Sequence, residues 1–258
     1  MSLGEIRALL IDLDGVLYVE DEPIEGATDA VGAFRRAGLG LRFVTNTTAR
    51  SHRRTLDRLE RLGFGVGEEE LVTPAALARR HCEESGHERV ALIMNEDVKA
   101  DFEGLTETDE RTQAVIMGDL GEAFGFEILN RAFRLVMDGA ELVALQKNRF
   151  WMTPDGLSLD AGPFVAAVEY ATGRDALVVG KPSPAFFELV LAELGATPAK
   201  TAMIGDDVET DVGGALGAGL AGILVRTGKY REDFVRASGV EPTATVDSVA
   251  AVPGLLCT

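Results

Sequence analysis

Short apolar runs alternate with amphipathic segments along most of this 258-residue sequence. Residues 8–11 form an uninterrupted apolar run, which is typical of a strand buried on both faces of a parallel sheet. Residues 27–37 place apolar side chains at helical spacing, and Gly38 follows as a stop signal. Because parallel strands are joined by crossover helices, the alternation predicts an α/β fold with a doubly wound parallel sheet and right-handed crossovers.

Four of the predicted strands end in charged or polar residues. In chain order these are Asp12 and Asp14, Thr45 and Asn46, Lys181, and the group Asp206, Asp207 and Asp211. Side chains alternate between the faces of a strand, so Asp12 and Asp14 start on the same face, and Gly15 allows a sharp turn after them. Ligands of open α/β sheets bind at the carboxyl ends of the strands. If the four strands are neighbours in one sheet, their ends therefore form one site.

The predicted site combines carboxylates with one ammonium group, a hydroxyl group and backbone amides. Two carboxylates as close as Asp12 and Asp14 repel each other unless a positive charge lies between them, and oxygen ligands suit Mg²⁺. The Lys181 ammonium and free amides can hold a phosphate. A carboxylate beside a bound phosphate can attack it and form an aspartyl phosphate. The Asp-x-Asp-Gly sequence alone fits a strand that ends in a polar turn equally well.

Composition argues against several other classes of protein. The net charge of −17 is unsuited to a nucleic-acid partner, which needs a basic face. No apolar run approaches the roughly 18 residues of a membrane span, so no membrane contact is expected. The N-terminal residues lack the pattern of a secretion signal, and the two cysteines have no metal or redox spacing, so we expect a cytoplasmic protein. A monomer and a homodimer both remain open.

The four motifs, in this order, resemble those of the haloacid dehalogenase superfamily: Asp12-Leu13-Asp14-Gly15, Thr45-Asn46, Lys181, and Gly205-Asp206-Asp207 with Asp211. Longer stretches are similar to its class II, subclass A branch, which includes nitrophenylphosphatase-like enzymes. They read LRFVTNTT, FRLVMDGAELVALQKNRF, GPFVAAVEYATG, VGKPSPAFF and GILVRTGKY. The resemblance implies a Rossmann-like core at residues 1–74 and 175–258, with a smaller α/β cap domain inserted at residues 75–174.

The resemblance also implies a role for each motif residue. Asp12 is expected to be the nucleophile, and Asp14 the general acid and base, a task that needs a pKa raised by its surroundings. Thr45 and the backbone of Asn46 are expected to hold the phosphate. Lys181 is expected to neutralise the charge on Asp12 and on the phosphoryl group.

A Mg²⁺ ion is the cofactor that the resemblance implies. Asp206 is expected to bind it together with Asp12 and the main-chain carbonyl of Asp14. Asp207 and Asp211 are expected to orient the metal or its water molecules.

Two loops of the predicted cap carry candidate specificity residues. Lys147 and Asn148 follow a predicted cap strand, and Gly162 lies where a helix begins, an end that favours anions. Our hypothesis is that both loops face the core site and contact the leaving group of the substrate. Alternatively, Lys147 is simply an exposed charge.

These features predict a Mg²⁺-dependent phosphatase that hydrolyses a small phosphorylated metabolite through an aspartyl phosphate. The alternatives are a phosphoamide or inorganic pyrophosphate hydrolase, or a non-catalytic phosphate-binding protein, on the same fold. A dehalogenase shares the nucleophilic aspartate but needs no phosphate–metal cluster, so Asp14 and Asp206 argue against it.

Overall fold

Strands and helices alternate along the chain in the computed structural model, which describes residues 3–153 and 156–256. The strands are β1 (Ala8–Asp12), β2 (Tyr18–Val19), β3 (Glu22–Pro23), β4 (Gly40–Val44), β5 (Leu71–Val72), β6 (Arg89–Ile93), β7 (Thr106–Glu107), β8 (Ala114–Met117), β9 (Glu141–Ala144), β10 (Phe150–Thr153), β11 (Gly156–Leu159), β12 (Leu177–Val178), β13 (Thr201–Gly205), β14 (Ala221–Val225) and β15 (Ala244–Val246). The helices are α1 (Ala27–Arg36), α2 (His52–Arg61), α3 (Pro74–Ser85), α4 (Glu96–Lys99), α5 (Phe126–Met137), α6 (Ala161–Thr172), α7 (Pro184–Leu194), α8 (Gly214–Gly217), α9 (Glu232–Ser238) and α10 (Val252–Leu256).

The chain divides into two compact units. The first comprises Met1–Thr45, Thr55–Val72 and Lys181–Thr258, and the second comprises Asn46–Arg54 and Thr73–Gly180. The roles of the two units as core and cap stay predictions. Within the ranges that the structure describes, none of the helices combines the length and the apolar character that crossing a membrane requires.

The first unit contains a six-stranded parallel sheet with the strand order β15–β14–β13–β1–β4–β5. All five residues of the central strand β1 are buried, as its apolar run predicts. Ile11 pairs with Ile204 of β13, and Asp12 pairs with Val44 of β4. This register aligns the carboxyl ends of β1, β4 and β13, so the residues that follow these strands gather at one edge of the sheet.

Apolar side chains of β1 hold this edge in place. Leu9 and Ile11 lie in one core cluster with Phe34 of α1 and Phe43 of β4. The inner face of α1 repeats at helical spacing, with Ala27, Ala30, Val31 and Phe34 buried. Burial of each large apolar side chain contributes about 1.5–3 kcal/mol, so the strand that ends in Asp12 is firmly anchored.

The second unit contains a five-stranded parallel sheet with the strand order β12–β9–β8–β6–β7. Its core joins Ile93 of β6 and Met117 of β8 with Val136 of α5 and Val165 of α6. The sequence Pro154-Asp155-Gly156 is typical of the turn of a small hairpin, and the strands on either side of it, β10 and β11, pair antiparallel. The predicted turn residues Pro154 and Asp155 lie outside the described residues.

The strand before Lys181 corrects one sequence-based expectation. It was expected to lie beside the strands that precede Asp12, Thr45 and Asp206. Instead, β12 pairs with β9 of the second sheet, where Leu177 lies opposite Val143. Only the residues after this short strand, from Lys181 onward, belong to the first unit. Three strands of one sheet, and not four, therefore carry site residues.

Candidate active site

The edge formed by β1, β4 and β13 carries three buried polar side chains. Asp12 is the last residue of β1, Thr45 directly follows β4, and Asp206 directly follows β13. Their exposed fractions are 7%, 2% and 2%. Burial of this kind is expensive for ionisable groups unless partners compensate for the lost water.

Lys181 supplies the compensating positive charge. Its ammonium contacts Oδ1 of Asp12 and lies 2.8 Å from Oδ1 of Asp211, and the whole residue is buried. Burial alone would lower the pKa of this lysine, but the two carboxylates outweigh burial and raise it above its ordinary value. Lys181 therefore stays protonated and holds two aspartates from different parts of the chain.

Asp206 is the third carboxylate of this cluster. A carboxylate oxygen of Asp12, one of Asp206 and one of Asp211 lie within 4.8 Å of one another. Burial, followed by repulsion from Asp12 and Asp211, raises the pKa of Asp206 to about 8. Burial also raises the pKa of Asp211 to about 6, although Lys181 acts in the opposite direction. Burial raises the pKa of Asp12 as well, against the opposing effect of Lys181.

When ionised, the three carboxylates carry one negative charge more than the ammonium groups of Lys181 and Lys229 can balance. A divalent cation would supply the missing positive charge, and carboxylate oxygens are the ligands that Mg²⁺ prefers. The residues present therefore fit the ion that the sequence predicts. Asp12 and Asp206 would hold it, and Asp211, expected only to orient it, lies close enough to be a further ligand.

Two glycines press against the Asp206 carboxylate. Gly15 and Gly228 both have positive φ, +85° and +61°, and a β-carbon at either position would collide with Asp206 Oδ2. The backbone N–H of Lys229 donates to the same oxygen at 2.6 Å, and the Thr227 hydroxyl donates to the Gly15 carbonyl at 2.5 Å. Only glycine fits so close to this side chain, so the loop after β14 and the turn after β1 together fix Asp206.

The Thr227-Gly228-Lys229 segment was not among the predicted site residues. Two signals in the sequence could have identified it. It begins two residues after the end of a predicted strand, and Lys229 is one of only five lysines in the chain.

Asp14 contacts the side chain of Tyr18. Its side chain is half-buried, and the Tyr18 hydroxyl donates to Oδ2 at 3.4 Å, a long hydrogen bond. The turn between them closes through Gly15 N–H, which donates to the Tyr18 carbonyl at 2.7 Å. The guanidinium of Arg58 lies 4.5 Å from the centre of the Tyr18 ring, within range of a cation–π interaction.

Asp207 has a clear structural task. Its Oδ1 accepts hydrogen bonds from the backbone N–H groups of Glu209 and Thr210, both at 3.0 Å, and so caps the helical turn Val208–Gly213. Its own N–H donates to Oδ2 of Asp211 at 3.2 Å. Asp207 therefore orients the turn that presents Asp211, and its predicted effect on a metal ion stays a prediction.

Asn46 begins a segment that belongs to the second unit, whereas Thr45 belongs to the first. In the second unit, Asn46 approaches Gly180 so closely that a β-carbon on this glycine would lie 2.9 Å from Asn46 Oδ1. The phosphate-binding roles of Thr45 and Asn46 stay predictions.

The two predicted specificity loops lie against each other within the second unit. Gly162 N–H donates to the carbonyl of Asn148 at 3.0 Å, and a β-carbon on Gly162 would lie 2.6 Å from the Lys147 carbonyl oxygen. The Lys147 ammonium forms an ion pair with Glu169 of α6 at 2.5 Å. The structure thus brings the three candidate residues together, and their contact with substrate stays a prediction.

Comparison with protein families gives two matches that agree with the motifs. Residues 9–106 match a model described as haloacid dehalogenase-like hydrolase, and residues 178–252 match a second HAD-hydrolase-like model. The first match contains the Asp12 and Thr45 motifs, and the second contains Lys181 and the Asp206 motif.

Similar curated proteins and solved structures span nearly the whole chain. Haloacid dehalogenase-like hydrolase domain-containing protein 2 of Bos taurus is 45% identical over 88% of this chain and 86% of its own length. Phospholysine phosphohistidine inorganic pyrophosphate phosphatase of Xenopus laevis is 40% identical over 95% of this chain and 92% of its own length. The crystal structure of 4-nitrophenylphosphatase from Thermotoga maritima superposes with a TM-score of 0.90 at 25% identity and covers 98% of each chain.

Proposed function

The chain is a phosphatase of the haloacid dehalogenase-like hydrolase family, and we propose that it hydrolyses a small phosphorylated metabolite through an aspartyl-phosphate intermediate on Asp12, with Mg²⁺ as cofactor. We further propose that it acts in the cytoplasm. The observation that carries the mechanism is the buried contact of Lys181 with both Asp12 and Asp211, beside Asp206. Such a cluster concentrates negative charge at a strand end where a phosphate, which is also negative, must bind. A metal cation between the two is what a metal-assisted phosphoryl transfer requires.

In the first step, a carboxylate oxygen of Asp12 attacks the phosphorus atom of the substrate. The new bond joins this oxygen to phosphorus, and the bond between phosphorus and the leaving oxygen breaks. Asp14, in its protonated form, gives its proton to the leaving oxygen. Lys181 stays charged and stabilises the negative charge that spreads over the phosphoryl oxygens.

In the second step, a water molecule attacks the phosphorus atom of the aspartyl phosphate. Asp14, now a carboxylate, takes a proton from this water, and the bond between phosphorus and the Asp12 oxygen breaks. Phosphate leaves, Asp12 regains its carboxylate, and Asp14 regains its proton, so the cycle is balanced.

Bound Mg²⁺ would act as a Lewis acid that stabilises charge on the phosphoryl oxygens. The chain's own residues determine the geometry. Asp206 is fixed by the Lys229 N–H and by the two close glycines, and Asp211 is fixed by Lys181 and by the turn that Asp207 caps.

A labelled substrate tests the covalent step directly. We expect acid-quenched wild-type protein to carry label from ³²P-labelled p-nitrophenyl phosphate, whose leaving group needs no proton from Asp14, when Mg²⁺ is present. Asp12→Asn should carry none, whereas Asp14→Asn should accumulate more label than wild type, because hydrolysis of the intermediate needs the base. If the substrate is hydrolysed but neither wild type nor Asp14→Asn ever carries label, the covalent route is excluded.

One relative supports a second candidate substrate class. The Xenopus laevis protein is named for phospholysine, phosphohistidine and inorganic pyrophosphate, and it is 40% identical to this chain. A panel of phosphate monoesters, phosphoamides and pyrophosphate, assayed with Mg²⁺, separates the two classes by kcat/KM. Binding of phosphate without turnover of any member of the panel would indicate a non-catalytic phosphate-binding protein.

A further inference from the structure

Two histidines and a glutamate converge in the second unit. His81 lies on α3, His87 lies just beyond the end of this helix, and Glu141 begins β9. The Nε2 atoms of His81 and His87 each lie 2.9 Å from the same oxygen, Oε2 of Glu141. All three side chains are partly exposed, so solvent reaches the cluster. From the sequence alone, these histidines have no partner spacing and are interpreted as surface or capping residues.

The end of α3 brings the two histidines together. Gly86 adopts a positive φ of 69° and reverses the chain after the last turn of the helix. The N–H of His87 then donates to the carbonyl of Cys82 at 2.8 Å. This reversal returns His87 to the helix turn that carries His81, six residues earlier in the sequence.

Gln113 connects this helix end to the strand of Glu141. Its side-chain oxygen accepts from the N–H groups of Glu88 and Arg89 at 3.0 and 2.9 Å, and its side-chain nitrogen donates to the Gly86 carbonyl at 3.0 Å. Its main-chain carbonyl accepts from the N–H of Glu141 at 2.8 Å. One residue therefore fixes the segments that carry His87 and Glu141, so the three donor groups are preorganised.

We propose that His81, His87 and Glu141 form a binding site for a divalent transition-metal cation of the Zn²⁺ type. Two imidazoles and one carboxylate make up a common ligand set for Zn²⁺, with a water molecule in the fourth position. Imidazole nitrogens do not suit Mg²⁺, so this site differs in metal preference from the all-carboxylate cluster of the first unit.

The distances fit this assignment. Ligand atoms about 2.0–2.2 Å from a tetrahedral Zn²⁺ lie roughly 3.3 Å apart. The Nε2–Oε2 separations of 2.9 Å are those of hydrogen bonds, so each of these two separations needs to widen by only roughly 0.4 Å. One ligand atom from each of the three residues lies within 4.8 Å of the other two.

The first test measures Zn²⁺ binding to the full chain in excess Mg²⁺, which occupies the carboxylate cluster. We expect about one Zn²⁺ per chain in competition with a chromophoric chelator. His81→Gln, His87→Gln and Glu141→Gln should each weaken binding by more than about tenfold, since even outer-shell changes commonly cost about 10–100-fold. His52→Gln is the matched control, because His52 is the third histidine of the chain and lies outside the cluster. Equal Zn²⁺ affinity in all four variants would overturn the proposal.

The second test uses wild-type protein and does not depend on how well a variant folds. Long-range ¹H–¹⁵N spectra resolve the imidazoles of the three histidines. Addition of Zn²⁺ should shift the Nε2 signals of His81 and His87 while that of His52 stays in place. If these two signals respond to pH but not to Zn²⁺, the cluster shares protons only and the metal-site proposal is wrong.

Discussion

The Lys181 ammonium lies 2.8 Å from Oδ1 of Asp211, and both side chains are buried. The sequence predicted Asp211 as a residue that orients the metal, with no link to the lysine. The ion pair gives it a second task, because it fixes the ammonium in contact with Asp12. Removing one partner of a buried pair leaves the other charge uncompensated, which commonly costs about 3–5 kcal/mol.

Asp211→Asn separates these two tasks. If Asp211 mainly positions Lys181, kcat for p-nitrophenyl phosphate should fall by about tenfold or more and should stay low at saturating Mg²⁺. The measurement is a Mg²⁺ titration of kcat in wild type and variant. Full recovery at high Mg²⁺ would show that Asp211 acts on the metal alone.

Asp12→Asn tests the nucleophile. The amide keeps the shape of the side chain but cannot attack phosphorus, so we expect turnover to fall by about three orders of magnitude or more. Asp29→Asn, which removes a surface carboxylate from α1 of the same unit, is the matched control and should retain activity. The melting temperature of both variants establishes that they are folded. Substantial turnover by Asp12→Asn would contradict covalent catalysis by this residue.

The raised pKa values of the carboxylate cluster predict how Mg²⁺ binding depends on pH. Asp206 and Asp211 have pKa values of about 8 and about 6, whereas the ordinary value is 3.8. Mg²⁺ must displace the protons they hold, so its apparent affinity should rise between pH 6 and 8, by up to about tenfold per pH unit for each proton displaced. Calorimetry in buffers of different ionisation enthalpy counts these protons. An affinity that is independent of pH over this range would exclude the predicted coupling.

The same pKa values predict the stability of the metal-free protein. Between the ordinary value of 3.8 and about 8, folded Asp206 binds more protons than the unfolded chain does. The free energy of unfolding should therefore fall as pH rises through this window. Asp206→Asn should raise the stability of the metal-free protein at pH 8 by roughly 1 kcal/mol or more. Denaturant unfolding in EDTA checks the sign, and a destabilised variant at pH 8 would contradict it.

Local patterns predicted much of the fold and of the site. The apolar run of β1 predicted a strand buried on both faces, and the polar residues at the ends of β1, β4 and β13 predicted that these strand ends meet. The sheet that contains β12 could not be predicted, because a strand of two residues carries too little pattern to identify its partner.

Arg58 shows a second limit of sequence-based prediction. The crowd of arginines in α2 is typical of a solvated face, yet Arg58 is only 6% exposed and lies over Tyr18. The burial of a single arginine depends on the partner that packs against it, and Tyr18 lies 40 residues earlier in the sequence. The local periodicity of a helix contains no information about a packing partner so far away in the sequence.

Asp14→Asn tests the general acid. The first chemical step should slow by about 100- to 10,000-fold for an alkyl phosphate, whose leaving oxygen needs a proton. The loss should be much smaller for p-nitrophenyl phosphate, whose leaving group is stable as an anion. Rapid-quench measurement of the first turnover isolates this step from hydrolysis of the intermediate. Equal losses for the two substrates would argue against proton donation by Asp14.

Gly162→Ala tests whether the paired loops of the second unit control substrate choice. The added methyl group would lie 2.6 Å from the Lys147 carbonyl oxygen, so the loops must move apart. We expect the order of kcat/KM across a panel of phosphate esters to change, while the Mg²⁺ concentration for half-maximal activity stays constant. An unchanged order would place selectivity elsewhere in the second unit.

Lys147→Met and Glu169→Gln separate the two interpretations of Lys147. Both substitutions break the 2.5 Å ion pair, but only Lys147→Met removes the ammonium. If the ammonium attracts an anionic part of the substrate, Lys147→Met should raise KM for doubly anionic substrates, whereas Glu169→Gln should leave KM unchanged or lower it. If the pair only stabilises α6, both variants should lower the melting temperature slightly and leave KM unchanged, since a partly exposed ion pair contributes about 1 kcal/mol or less. A KM raised by Lys147→Met but not by Glu169→Gln would therefore assign Lys147 to substrate recognition. The same KM in both variants would show that Lys147 is a surface charge without contact to the substrate.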